Sequence, residues 1–310
     1  ALWLLAVHIA SLVAGSLRAG LPAGMLLLAA AGIPAELVRR KHAPHARPDG
    51  RPPSAWMVLT MLVATAAMAP LALRFHFHDE ILLTGHMSIA AQLQNAVYPP
   101  RHLAFPDTPL RYHYGFDLLA ASLTALLHVR VDLAIDIATL GLFALAWCLL
   151  WTLGERLLGR ERAWLVPPLA LFAGGLPIAC ANKQPTFVGR VIDMCQVGTH
   201  YVNPPVSSYF FQHPWSLGIP VGLTALLVFT SHRARSERLR LVVLATVLAA
   251  LSLSQVALFV ACLPSFVVAS AWGPDGFEWR RAARLLLVAL AAALAAKLLG
   301  GFFVSSPGMP

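Results

Sequence analysis

Long apolar runs constrain the possible fold of this chain more than any other feature. Several of them reach the ~20 residues that an α-helix needs to cross the hydrocarbon core of a bilayer. Hydrophobic residues make up 58% of the 310-residue chain and charged residues only 12%, about half the charged share of a typical soluble domain. The sequence therefore predicts an all-α polytopic membrane protein that forms a single transmembrane domain over residues 1–310.

About nine transmembrane helices are predicted from these runs. The polar stretch "SLSQ" at 252–255 divides one apolar run that is too long for a single helix of ordinary tilt. The chain begins inside one apolar run and ends just after another, so we expect it to be a fragment, truncated at both ends. The predicted spans are 2–17, 20–38, 54–74, 131–153, 164–180, 215–231, 240–255, 257–272 and 284–303.

Lys and Arg are distributed unevenly between the segments that connect the spans. Four short segments carry fifteen of them, whereas the long loops 75–114 and 181–214 carry two each. This positive-inside asymmetry places the long loops on the extracytoplasmic face. The same asymmetry explains the net charge of +9 as a signal for membrane topology. Nucleic-acid binding is therefore not expected. The basic segments are 39–53, 154–163, 231–240 and 273–284, and Trp56, Trp151, Trp164, Trp272 and Trp279 lie near the same boundary.

The apolar segment "GFDLLAASLTALLH", residues 115–128, is short for a full crossing. If it crossed the membrane, the basic segment 154–163 would lie outside. If it enters only the outer leaflet, every basic segment stays inside. We favour the second reading, a re-entrant or interfacial juxtamembrane helix on the outer face.

Titratable residues are concentrated where the third predicted span ends. The stretch "RFHFHDEILLTGH", Arg74 to His86, holds three histidines, Asp79 and Glu80. Ionisable groups are costly deeper in a bilayer. Their position at the headgroup level therefore points to an amphiphilic substrate whose reactive centre lies at the same depth.

The order of motifs after this span resembles the membrane glycosyltransferases of the GT-C fold, which include protein O-mannosyltransferases and aminoarabinose transferases of lipid A. An acidic pair follows an early span, and then come a helical stretch, "YPP" and "PLRYHYGFDLLAA". The resemblance covers about residues 54–240. It implies a catalytic carboxylate in the first outer loop, juxtamembrane helices and a polyprenyl-phosphate sugar donor. "TPLRYHYG" replaces the His-Pro-Pro-Leu-type element of the mannosyltransferases, which leaves the subfamily and acceptor open.

The resemblance also implies an inverting mechanism. Asp79 matches the catalytic aspartate and Glu80 its neighbour. Asp79 would accept the proton of an acceptor hydroxyl as the hydroxyl attacks the anomeric carbon, and such a base typically contributes about 10²–10⁴-fold. The lipid phosphate that leaves needs positive charge or hydrogen-bond donors nearby. Candidates are Arg101, Arg111, Arg190 and Lys297, although Lys297 is also typical of a lysine that snorkels to the headgroups.

Further polar and aromatic residues in the outer loops are candidates for substrate binding. Aromatic residues before the short helix could stack on a sugar or anchor the protein at the interface. Polar residues of the second loop could bind sugar hydroxyls or satisfy the loop's own backbone. The first group is Tyr112, His113 and Tyr114, and the second is His200, Tyr201, Asn203, Gln212 and His213.

Three carboxylates further along the chain are expected to form ion pairs. Asp117 follows the aromatic residues and is expected to pair with Arg111 or Arg130. Asp132 and Asp136, which share a helix face at i and i+4, could pair with Arg130 or form a second acidic site.

A divalent metal ion is a possible cofactor. His76, His78 and His86, with Asp79 and His213, are residue types that suit Zn²⁺ and similar ions. However, no compact ligand spacing such as HExxH is present, and ordinary interface histidines are the alternative. Cys180 and Cys195, in or beside the second outer loop, could form a disulfide because that compartment permits oxidation.

Three functions remain open at this level, and one of them is a structural subunit whose outer loops only bind a partner. The first is a lipid-linked-sugar transferase with its catalytic loops on the extracytoplasmic side. The second is a non-enzymatic carrier or flippase for a lipid or polyprenyl substrate, which charges in the middle of spans would favour. The charges here gather at the ends of the spans, and this favours the enzyme.

Overall fold

The computed structural model confirms the all-α fold class. It describes residues 1–42, 54–75, 85–95, 98–102, 104–172, 210, 213–231, 237–273 and 276–303. These residues form eleven α-helices and two short antiparallel hairpins, β1–β2 and β3–β4.

The described helices are numbered in chain order. They are α1 (Leu2–Ala14), α2 (Leu17–His42), α3 (Ala55–Phe75), α4 (His86–Asn95), α5 (Gly115–Leu127), α6 (Val131–Leu158), α7 (Val166–Phe172), α8 (His213–Phe229), α9 (Glu237–Ser254), α10 (Val256–Ala271) and α11 (Trp279–Leu299). The strands are β1 (Arg101–His102), β2 (Phe105–Pro109), β3 (Trp272–Gly273) and β4 (Gly276–Phe277).

Each predicted span contains one of these helices, although the span 164–180 is described only as far as Phe172. Two described helices, α6 and α11, are long and apolar enough to cross a membrane by length and composition. The count of nine transmembrane helices therefore stays a prediction. The expected break at "SLSQ" is confirmed, because Gln255 separates α9 from α10 and its side-chain oxygen accepts a hydrogen bond from the backbone of Ala257 at 3.3 Å.

Two glycines hold α1 and α2 in close contact. Gly15, with φ of 67°, ends α1 in a left-handed conformation that suits glycine. A Cβ on Gly24 would lie 2.7 Å from the Cα of Val7, and one on Gly20 would overlap the backbone of Ser11. The Gly20–x–x–x–Gly24 pair therefore lets the two backbones approach closely, as small residues do at helix interfaces in membranes.

The long helix α6 is the centre of the assembly, and it contacts α3, α4, α5, α7 and α8. Beyond it, α8 packs on α9, and α9 and α10 pack on α11. Apolar side chains form the core around α6, in which Phe143, Trp147 and Trp151 are all buried. Contacts between described helix ends form two groups, one that joins the ends of α6 and α8 and one that joins the starts of α4 and α5.

The two ends differ in chemistry. At one, Arg156 donates to the carbonyl oxygen of Leu227 at 2.6 Å, and Arg284 donates to Glu237 at 2.8 Å. We call this the arginine end, and it collects the described parts of segments 154–163, 231–240 and 273–284. The opposite, histidine end contains the starts of α4, α5 and α8 and the end of α11.

The segment predicted as an interfacial or re-entrant helix forms α5. Its first half, from Gly115 to Ser122, is largely buried by protein, and only its last turn exposes Leu126 and Leu127. A Cβ on Gly115 would lie 2.7 Å from the carbonyl oxygen of Leu253. The helix thus enters the bundle with its N-terminal half, whereas its depth in a bilayer stays a prediction.

We expect Gly24→Ala to destabilise the protein, because the new methyl group must push α1 away from α2. Gly32→Ala in the same helix is the matched control, since a Cβ there meets no atom within 4 Å. Alanine favours a helix over glycine by up to about 1 kcal/mol, so the control should unfold at an equal or higher temperature. Thermal unfolding in neutral detergent measures both, and equal midpoints for the two variants would contradict the close packing.

Candidate functional site

A buried hydrogen bond between a histidine and an aspartate joins α4 to α5 at the histidine end. His86 is the first residue of α4, and Asp117 lies in the first turn of α5. Their side chains are 3% and 0% exposed, and His86 Nδ1 lies 2.7 Å from an Asp117 oxygen. With the proton on Nδ1, Asp117 accepts this hydrogen bond. In the neutral imidazole, Nε2 is then an acceptor, and the Tyr112 hydroxyl lies 3.3 Å from it.

Aromatic rings enclose the imidazole of His86. The ring centroids of Tyr112, Phe116 and His213 lie 5.7, 6.2 and 5.3 Å from that of His86. Phe116 and His213 stack on each other at 5.1 Å and 10°. These contacts fix the orientation of His86 and shield its hydrogen bond to Asp117 from water; of the three rings, only that of Tyr112 is partly exposed and could stack on a sugar ring.

His213 connects this group to two more helices. It is the first residue of α8, and its Nδ1 lies 3.4 Å from the hydroxyl of Thr139 on α6. Four helices therefore contribute to one arrangement of polar and aromatic side chains. We call it the histidine cluster, and it consists of His86, Tyr112, His113, Phe116, Asp117, Thr139 and His213.

His113 is neutral in this environment. It stacks on Tyr112 at 4.3 Å. Burial lowers the pKa of His113 to about 4, although the nearby charge of Asp117 acts in the opposite direction. Burial also raises the pKa of Tyr98 and of Tyr114 above the usual value for a phenol, so both stay protonated.

Two buried polar atoms of the cluster have no hydrogen-bond partner in the described part of the chain. They are the second carboxylate oxygen of Asp117 and Nδ1 of His113. Buried polar atoms nearly always have a partner in a protein or in ordered water. A hydroxyl group of a bound molecule would satisfy either atom.

A second buried contact supports this region from the other side. Nε2 of His8 donates to the carbonyl oxygen of Leu299 at 2.9 Å, and Nδ1 lies 2.6 Å from the Tyr98 hydroxyl. The His8 ring also packs on Tyr114, which directly precedes α5. His8 is not among the residues predicted from the sequence. A polar residue in an apolar run needs a buried partner, and this was the signal that could have identified it.

The cations predicted to hold the leaving phosphate are spread around the histidine end. Arg101 is exposed and donates to the carbonyl oxygen of Pro106 at 3.3 Å. This hydrogen bond stabilises the β1–β2 hairpin. Arg111 and Lys297 are also exposed. Of the predicted substrate-binding residues, the structure brings Tyr112, His113 and His213 together around His86, and Tyr114 packs beside them.

The expected partners of Asp117 were wrong. Asp117 pairs with His86, and Arg130 pairs with Asp132 at 2.8 Å instead, as the alternative for that residue predicted. The reason is geometric: Asp117 and Arg130 lie at opposite ends of α5, which is about 20 Å long.

Several predicted residues lie outside the described part of the chain. Within that part, no group of three or more His, Cys, Asp or Glu residues could hold a metal ion, and His86 is bonded to Asp117. The described chain resumes at Gly85, six residues after Asp79. The residues outside it are the catalytic candidates Asp79 and Glu80, the histidines His76 and His78, the loop residues Arg190, His200, Tyr201, Asn203 and Gln212, and the cysteines Cys180 and Cys195.

Comparisons of the chain with protein-family models, with curated proteins and with solved structures found no match. The functional argument therefore rests on the motifs and on the geometry of the histidine cluster.

We expect His86→Leu to destabilise the protein by about 1–3 kcal/mol, because it leaves Asp117 buried without its partner. The double variant His86→Leu/Asp117→Leu should recover part of this loss, since both polar groups are then replaced. Arg130→Leu is the control. It breaks a pair whose arginine is 84% exposed, and it should cost no more than about 1 kcal/mol. Thermal or denaturant unfolding tests all three, and a double variant less stable than His86→Leu would contradict the pairing.

The lowered pKa of His113 predicts a pH dependence of stability. The unfolded chain takes up a proton below the ordinary histidine pKa of 6.5, whereas folded His113 does so only near pH 4. The free energy of unfolding should therefore fall as the pH decreases through this range. His113→Gln should lose less stability than the wild type between pH 7 and pH 4.5. Parallel losses in the two proteins would exclude this contribution.

Proposed function

We propose that this protein is a membrane glycosyltransferase that moves a sugar from a polyprenyl-phosphate donor to an acceptor hydroxyl on the extracytoplasmic face. The observation that carries the proposal is the histidine cluster. A buried His86–Asp117 contact with aromatic neighbours lies at the end of the bundle opposite the arginine end, and His86 begins the first described helix after the Asp79–Glu80 motif. Buried, paired ionisable groups in such a position are typical of functional sites.

The helices on the two sides of the Asp79–Glu80 motif favour a position of Asp79 near the histidine cluster. The helix α3 ends at Phe75, four residues before Asp79, and α4 begins with His86, seven residues after it. Asp79 is therefore tethered through short segments to the helix that carries His86. We propose that Asp79 faces the same substrate as the cluster, with Glu80 beside it.

The proposed step is a single displacement with inversion. Asp79 removes the proton of the acceptor hydroxyl, whose oxygen forms a bond to the anomeric carbon. The bond between that carbon and the phosphate oxygen breaks, and polyprenyl phosphate leaves with the electron pair. Tyr112, which is only partly buried and lies 3.3 Å from His86, offers a ring face to the sugar, and exposed Arg111 is a candidate partner for the phosphate.

The main alternative is a non-enzymatic carrier or flippase for a lipid or polyprenyl substrate. A transport path needs polar groups along the length of the spans. In α6 the charged residues are Asp132 and Asp136 in the first two turns and Glu155 and Arg156 near the end. This distribution favours a site at one face over a path through the bundle.

We expect Asp79→Asn to lower sugar transfer by about 10²–10⁴-fold, the usual contribution of a general base. Asp107→Asn is the matched control, because Asp107 is an exposed carboxylate in the same outer loop. Membranes that contain each variant are supplied with radiolabelled polyprenyl-phosphate hexoses and aminoarabinose. Label is then followed into lipid, saccharide and protein fractions.

Unchanged transfer by Asp79→Asn would remove Asp79 as the base. Proteoliposomes separate the alternative function. If the wild type carries a fluorescent polyprenyl phosphate across the bilayer but transfers no sugar from any donor, the carrier reading replaces the enzyme.

A further inference from the structure

A polar cleft of about 410 Å³ opens at the arginine end of the bundle. It lies between the start of α9, the start of α11 and Ser231, which follows α8. Its volume falls within the ~300–1,000 Å³ typical of ligand sites. The lining residues are Ser231, Glu237, Arg240, Glu278, Arg280, Arg281 and Arg284.

The charges of this cleft are not balanced. Arg284 is paired with Glu237 at 2.8 Å, and Arg281 lies 3.9 Å from Glu278. Both glutamates are thus engaged, and within the described part of the chain Arg240 and Arg280 face no carboxylate. Arg240 donates only to the carbonyl oxygen of Ser231 at 3.2 Å, and Arg280 lies over the ring of Trp279 at 5.6 Å.

Exposed aromatic residues lie directly beside the cleft. Trp272 and Phe277 face each other across the β3–β4 hairpin at 5.8 Å, and each is 66% exposed. Trp279 at the start of α11 is 64% exposed. Tryptophan is enriched at the headgroup level of bilayers, where one side of the ring is apolar and the other is hydrated. The aromatic residues therefore place the mouth of the cleft at headgroup depth.

The guanidinium group is suited to a particular kind of ligand. Its planar set of N–H donors matches the oxygens of a phosphate, and it binds them with two parallel hydrogen bonds. Basic residues beside the cytoplasmic leaflet also experience the attraction of its anionic lipids. Two arginines that face no carboxylate among the described residues, next to exposed aromatic side chains, fit the phosphodiester of an anionic phospholipid.

We propose that this cleft binds the headgroup of an anionic phospholipid of the cytoplasmic leaflet through Arg240 and Arg280. The site lies at the end of the bundle away from the histidine cluster, and it does not depend on the proposed sugar transfer. It takes a structural lipid, which is bound and not transformed.

The test is a lipid titration of the purified protein in neutral detergent. Dioleoyl phosphatidylglycerol should raise the unfolding temperature of the wild type, whereas phosphatidylcholine should not. Arg240→Gln/Arg280→Gln should weaken the apparent affinity for phosphatidylglycerol by about tenfold or more, since hydrogen bonds to charged groups are lost. Arg280→Gln alone, at an exposed position, should give part of this loss.

The matched control removes the same number of charges from the same end. Arg160 and Arg238 are exposed and do not line the cleft, so Arg160→Gln/Arg238→Gln should bind phosphatidylglycerol as the wild type does. An equal loss in this control would mean non-specific charge attraction and would overturn the site. An equal stabilisation by inorganic phosphate at the same concentration would show a site for soluble phosphate and would overturn the lipid assignment. Unfolding temperatures in phosphatidylcholine verify that every variant is folded.

Discussion

In the described part of the chain, the charged residues of the helices lie near helix ends, and this constraint separates the molecule into two chemically different faces. Among the described residues, every ion pair lies at one of those ends. A charge in the apolar middle would lose its hydration without a partner to replace it. The ionisable groups therefore had to collect where loops and water can reach them. Arg156, Arg281 and Arg284 lie at one end, and His86 with Asp117 lies at the other.

The pair of His86 and Asp117 is costly for a fold that needs only to be stable. Taking both groups out of water costs more than their attraction commonly returns, and apolar replacements of similar size are often as stable. Yet four helices converge to hold this pair and its aromatic neighbours in one orientation. A buried polar contact that is costly in free energy and held in one orientation is better explained by a role in catalysis or binding than by a role in stability. This is the reason for proposing that the substrate binds there.

The sequence predicted the helices well because their signals are local. Apolar runs located the helices, and the polar "SLSQ" located the break at Gln255. The partner of Asp117 could not be predicted in this way. His86 is 31 residues away, and the contact exists only because α4 packs against α5.

Two other structural features could have been predicted from the sequence. The Gly20–x–x–x–Gly24 spacing marks a close helix contact, and His8 is a polar residue in an apolar run that must find buried partners. Both could have been predicted by asking which group packs against a glycine, or bonds to a polar side chain, inside an apolar helix. The grouping of Tyr112, His113 and His213 was expected only as a shared face of the membrane. Their common centre on His86 is a product of the tertiary packing.

The helix α11 gives a physical link between the two ends. Its 21 residues correspond to about 30 Å of helix, close to the thickness of the hydrocarbon core. It starts beside the arginine cleft, and it ends where Leu299 accepts the hydrogen bond of His8. A headgroup held by Arg240 and Arg280 would therefore fix the depth of α11 in the bilayer. The histidine cluster would then be held at the level of the opposite headgroups, where a lipid phosphate that carries a sugar has to be met.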